Sequence, residues 1–252
     1  MLFKSVRYLY NNQMFEIILL VVAVIAGGVA CISGFGIGSL ITPLLALKIG
    51  TGIAVAGVSI AHFLGTALRF WIWKQYVNKR VLLSFGITSA VGGLLGALFH
   101  NIFQNEILTI IFGCLLAFAG FSGLTGISAK WRFSGPVAWI AGALSGMFGG
   151  LVGNQGGIRS AALFGFDLKG KEFIATATGI ALVVDIVRMP VYFLIQWKDI
   201  LNIWPLIALA SVGVLIGTEI GVWTLGKIPE AIFKKIVSGI ILLIAIFVLI
   251  HR

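Results

Sequence analysis

Ser33-Gly34-Phe35-Gly36-Ile37-Gly38-Ser39 interrupts an apolar run that begins near residue 15, and a short apolar piece, Leu40 to Leu47 with Pro43 inside it, follows. Glycine costs about 1 kcal/mol in a helix interior relative to alanine, so this cluster should end the helix. At membrane depth an unpaired backbone N–H or C=O is costly. An interrupted helix there must be packed in protein or line a cavity.

A second interruption, Gly149-Gly150-Leu151-Val152-Gly153-Asn154-Gln155-Gly156-Gly157, is followed by Ile158 to Phe166. Sliding the sequence by 119 residues sets Gly34 on Gly153, Gly38 on Gly157, Ser59 on Thr178 and Arg69 on Arg188 without a gap. Recurrence at one offset reads as an internal repeat. Two halves are expected, 1–127 and 134–252. The first holds a broken element, 15–47, and helices 52–73, 81–99 and 107–126; the second holds a broken element, 136–166, and helices 173–196, 200–225 and 231–250.

Composition fixes the class. Of 252 residues, 60% are hydrophobic and 10% charged, against about 25% charged in soluble domains, and the mean hydropathy is +1.10. The apolar runs are continuous, not alternating, which selects helices of about 20 residues over a barrel. The expected fold is all-α, a polytopic membrane bundle with connectors too short for a further domain. The N-terminal stretch carries Lys4 and Arg7 but runs into the glycine cluster instead of a small-residue cleavage site, which argues against a cleaved signal peptide.

The net charge of +10 comes from basic residues placed singly or in pairs between apolar runs. That is the positive-inside pattern, and no nucleic-acid partner is expected. If each broken element enters and returns, the second half is inverted and ten Lys and Arg residues face five (Lys4, Arg7, Lys48, Lys198 and Arg252). If all eight segments cross, the split is nine against six. The inverted arrangement is the better separated, and broken helices in corresponding positions of two halves point to a transporter site at the midplane.

Three arginines inside apolar segments carry the functional reading, because a charge at the bilayer centre costs at least about 2.5 to 3.5 kcal/mol. Arg69 and Arg188 either snorkel to the interface or line a cavity, and Arg159 follows the second break directly. The short pieces after Gly38 and Gly157 would present free N–H groups and the positive end of a helix dipole. Gly36, Gly38, Gly156 and Gly157 let a ligand approach the backbone, and Ser39, Thr42, Asn154, Gln155, Ser160, Ser59 and Thr178 can add neutral hydrogen bonds. The candidate site is therefore an anion site. Asp185, three residues before Arg188, is either its structural partner or a proton-binding carboxylate. His62 is either a packing residue or a proton carrier, and Glu219 is a third candidate near the end of its run. Cys31 and Cys114 read as small buried hydrophobes without metal-ligand spacing, so no metal or cofactor is expected. Metalloprotease, nucleophile-elbow and phosphate-loop patterns are missing, and an enzyme is not expected.

Gly34 to Pro43 and Gly153-Asn154-Gln155-Gly156-Gly157 resemble the two glycine-rich motifs of the TauE/SafE family, also called the sulfite exporter or toluene sulfonate uptake permease family. The chain departs from the pattern at Ile37 and Gln155, where glycine is more usual, and at Ala162, which stands where Pro43 predicts a proline. The resemblance implies movement of sulfur-containing anions such as sulfite and sulfonates across the bacterial cytoplasmic membrane. An anion channel of the same fold and a membrane scaffold that moves nothing are the competing expectations.

Overall fold

The computed structural model describes residues 2–127, 135–168, 170–224 and 230–250. Lys130, Arg132, Lys169, Lys227, Arg252 and the expected helix end at 225 lie outside the described residues, as do the side chains of Lys4, Arg7 and Lys234.

The chain is all-helical, with no strand among the described residues. In order the helices are α1 (Leu2–Ser33), α2 (Ile37–Ile49), α3 (Thr51–Trp73), α4 (Lys79–His100), α5 (Asn105–Thr125), α6 (Pro136–Val152), α7 (Gly156–Leu163), α8 (Gly170–Asn202), α9 (Trp204–Thr224) and α10 (Glu230–Ile250). Six of them, α1, α3, α4, α5, α8 and α9, are long and apolar enough to cross a membrane. Two ends differ from expectation. α1 starts before residue 15, and α8 continues past 196 to Asn202, although Gln196 leaves helical geometry at φ −123° and ψ 25°.

The outer surface is what a soluble protein would bury. On α4, Leu83, Ile87, Val91, Leu94 and Leu98 are exposed along one face, while Phe85, Ser89, Gly92, Gly93 and Gly96 are buried on the other. Such a helix turns its large apolar side chains to lipid and its small ones to protein. Cys114 follows this logic and corrects the reading from sequence: it is exposed, and only Cys31 is buried.

Glycines at four-residue spacing set the closest helix pairs. Gly142, Gly146 and Gly150 of α6 lie against Phe85, Ser89 and Gly93 of α4, and Gly213, Gly217 and Gly221 of α9 lie against Leu20, Val24 and Gly28 of α1. In both pairs residue numbers rise together, so the helices run parallel. By contrast α3 and α8 run antiparallel, with His62 beside Asp185 and Phe70 beside Gly179. So do α5 and α10, with Gly113 beside Leu249, Gly120 beside Leu242 and Gly123 beside Ser238.

Basic residues lie at both ends of the bundle. Lys74 and Lys171 lie over Trp71 and Tyr76 at one end of the bundle, and Lys198 lies over Trp197 at the other. Lys48 is at that second end, bonded to Asn12 at 2.8 Å. Aromatic rings at both ends match the interfacial belts of a membrane protein.

Candidate functional site

The two breaks open alike and then differ, since Gly36 has φ 140° and its counterpart Gln155 is not in the positive-φ region. α1 and α6 end in glycines of positive φ, Gly34 at 76° and Gly153 at 72°. Their N–H groups donate to Ala30 at 3.1 Å and to Gly149 at 3.0 Å. After each break the first helical bond runs from Leu40 to Gly36 and from Arg159 to Gln155, both at 3.0 Å. The N–H groups of Ile37, Gly38 and Ser39, and of Gly156, Gly157 and Ile158, precede those bonds and open the short helices α2 and α7.

The breaks also touch. Ser39 donates to Asn154 Oδ1 at 3.4 Å, and Arg159 Nη2 donates to the Gly34 carbonyl at 2.9 Å. A side chain at Gly38 would meet the Gly153 carbonyl, and one at Gly156 would meet Phe35. These glycines are therefore required by close approach of one break to the other.

Beside this junction stands a buried charged cluster. Arg188 donates to Asp185 Oδ1 from Nε at 2.9 Å and lies 2.8 Å from it through Nη2, while its Nη1 donates to the Gly149 carbonyl at 2.6 Å. Asp185 Oδ2 is 2.6 Å from His62 Nδ1, across the α3–α8 interface. Arg69 donates to Thr66 at 3.2 Å, and the Thr66 hydroxyl is 3.4 Å from His62 Nδ1. Arg69, Arg159 and Arg188 are each 1% exposed and Asp185 is fully buried, so all three arginines lie inside the bundle and not on its surface. Three guanidinium groups against one carboxylate leave two uncompensated positive charges with His62 neutral.

Several of the buried polar atoms left unsatisfied belong to these arginines and to the second break. Arg69 Nε and Nη1, Arg159 Nε and Nη1, Asn154 Nδ2 and both amide atoms of Gln155 are buried without a hydrogen-bond partner among the described residues, as are the hydroxyls of Thr42, Ser160 and Thr178. Buried donors are normally satisfied, and one left unmade costs about 1–3 kcal/mol. A cluster of them next to excess positive charge is what an anion would satisfy.

Two expected residues are not drawn in. Ser59 is buried but donates to Ala56 of its own helix at 2.6 Å, and Glu219 is exposed on α9. Others join without having been singled out in the sequence. Thr66 links His62 to Arg69, and it stands three residues before Arg69 as Asp185 does before Arg188. Tyr192 donates to the Gly150 carbonyl, and His100 places its two ring nitrogens 2.6 Å from the Leu151 carbonyl and 3.1 Å from the Gly52 carbonyl. The polar residues at one offset could have pointed to Thr66; nothing local marks His100.

The family model described as Sulfite exporter TauE/SafE matches residues 19–248. The chain belongs to this family. It is a multi-pass cell-membrane protein of the sulfite-exporter type, and the family's members are transporters, not enzymes. No curated protein and no solved structure gives a match.

Proposed function

We propose that this TauE/SafE protein is a secondary transporter of small sulfur-containing oxyanions, sulfite or organosulfonates, held at the bilayer midplane and exposed to the two sides in turn. The observation that carries this reading is the excess of two buried positive charges beside the meeting point of two helix breaks. Arg69 and Arg159 have guanidinium N–H groups to give, and the open ends of α2 and α7 add backbone N–H groups and dipole. Arg188, tied to Asp185 and Gly149, holds the second break in place and adds field. Asn154, Gln155, Ser39, Thr42, Ser160 and Thr178 supply neutral hydrogen bonds around them. Proton coupling runs through the His62 and Asp185 pair.

The carrier is built of two inverted halves, 1–127 and 134–252, each with a hairpin broken at glycine. Element order supports this: α2 and α7, and likewise α3 and α8, begin 119 residues apart. Pairing supports it as well. Exchanging the halves turns the α1–α9 contact into α6–α4 and returns α3–α8 and α5–α10 to themselves. The self-paired helices run antiparallel, as a twofold axis lying in the membrane plane requires; an axis along the normal would keep them parallel. Such halves rocking about a fixed site give alternating access.

The test is flux of labelled sulfite or a sulfonate in proteoliposomes. A charge-assisted hydrogen bond is worth about 1.5–3 kcal/mol, so Arg159→Ala or Arg69→Ala should cut flux at low anion by about 10- to 150-fold in protein that still elutes folded. Unchanged flux in both variants removes the proposed site. Flux that never saturates would make the protein a channel.

A further inference from the structure

We propose that Nε2 of His62 is the proton-binding atom of this transporter and that Asp185 is the residue that positions it. The inference rests on the anion-transport reading above and adds the identity of the coupling group.

Both oxygens of Asp185 are engaged. Oδ1 takes the Arg188 guanidinium at 2.9 and 2.8 Å, and Oδ2 lies 2.6 Å from His62 Nδ1. A carboxylate held by a guanidinium on one oxygen stays an acceptor, so the hydrogen in the short contact belongs to His62 Nδ1 and is donated to Asp185. The tautomer is thereby fixed. With Nδ1 committed, the ring's one basic lone pair is on Nε2, which has no partner among the described residues. The ring is also the most accessible member of the set: His62 is 8% exposed, whereas Asp185 and the three arginines are at 0–1%. Protonating Nε2 does not require opening the Asp185–Arg188 pair.

The same ring is connected to the anion side. Thr66 Oγ1 lies 3.4 Å from His62 Nδ1 and accepts from Arg69 Nη2 at 3.2 Å. The charged groups facing His62 are Asp185 and Arg188 from α8 and Arg69 on its own helix, and Arg159 of α7 faces those three in turn. The other elements packed on α3 contribute Lys48, Lys74, Glu106 and Glu219, all exposed. A proton on Nε2 raises the uncompensated positive charge from two to three, and Asp185 stabilises the imidazolium it creates. Anion binding is then favoured by the proton and proton binding by the anion, to the same factor. Proton and anion load together and cross together.

The probe is methanesulfonate, whose own charge does not change between about pH 5 and 8, the window of an ordinary histidine. Its affinity for the purified, detergent-solubilised protein should fall about 5- to 150-fold from the acid to the alkaline end, the usual size of such couplings. His62→Gln keeps an N–H donor for Asp185 and should hold one affinity throughout. Because that variant can fail to fold, calorimetry of the wild type in two buffers of different ionisation enthalpy provides the second measurement. Net proton uptake on methanesulfonate binding near the middle of the window is expected. Wild-type binding with a flat pH profile and no proton uptake, or a pH profile that persists in His62→Gln, overturns the His62 assignment and leaves anion binding standing. No binding of methanesulfonate, sulfate or sulfite at any pH overturns the anion reading and this inference with it.

Discussion

At the scale of single residues, the two arginines related by the 119-residue offset have different surroundings. Arg188 has a carboxylate three residues before it, while Arg69 has the hydroxyl of Thr66 in that position. Removing one member of a buried ion pair costs about 3–5 kcal/mol, because the other is left uncompensated. Asp185→Asn is therefore expected to destabilise the protein by about that amount, and Arg69→Gln, which removes an unmatched charge, to be neutral or stabilising without anion. Thermal unfolding in detergent compares the two. If Arg69→Gln is the worse variant, the Arg69 charge is matched within the fold, the Cys31 thiol that also interacts with it being one source. Much of the site could be read from residue types: glycines imply breaks, and an arginine in an oily segment implies a compensating environment. The His62 to Asp185 contact could not, since it joins positions 123 residues apart that follow no shared periodicity.

At the scale of helices, packing rests on small residues. A side chain at Gly146 would overlap the Ser89 backbone, whereas one at Gly239 would meet nothing within 4 Å. Gly146→Leu should thus separate α4 from α6 and cost upwards of about 1–3 kcal/mol, the usual penalty for overpacking. Gly239→Ala, lying in α10 where glycine is a poor helix former, should gain up to about 1 kcal/mol. Thermal stability in detergent reads both, and equal tolerance at the two positions would contradict the close α4–α6 approach. Hydropathy was enough to locate the helices, because lipid demands continuous apolar runs. It could not say which face of each helix meets lipid, since both faces are apolar, and Cys114 was misjudged for that reason. Helix ends beyond the apolar core, such as Leu2 in α1 and Asn202 in α8, are likewise invisible to it.

At the scale of the whole molecule, the direction of each helix decides which loops share a side. If α1–α2 and α6–α7 each enter and return, Lys74 and Lys171 emerge together and Lys198 emerges opposite; if every segment crosses, Lys74 and Lys171 are separated. Lys74 lies over Trp71, and Lys171 over Tyr76, a ring two residues beyond Lys74. Asn78, which opens α4, also donates to Glu172 at 2.9 Å. The face that gathers the larger share of lysine and arginine belongs in the cytoplasm. In a Cys114→Ser background, Lys198→Cys should react with a membrane-impermeant maleimide in intact cells, and Lys74→Cys and Lys171→Cys only after the membrane is opened. Labelling of Lys74→Cys and Lys171→Cys from different sides would destroy the inverted arrangement, and with it the reason for bringing two helix breaks to one depth. Labelling of all three in reversed sense would keep the architecture and turn the transporter over. The anion site would survive that reversal, because its charges sit at the point the two halves share.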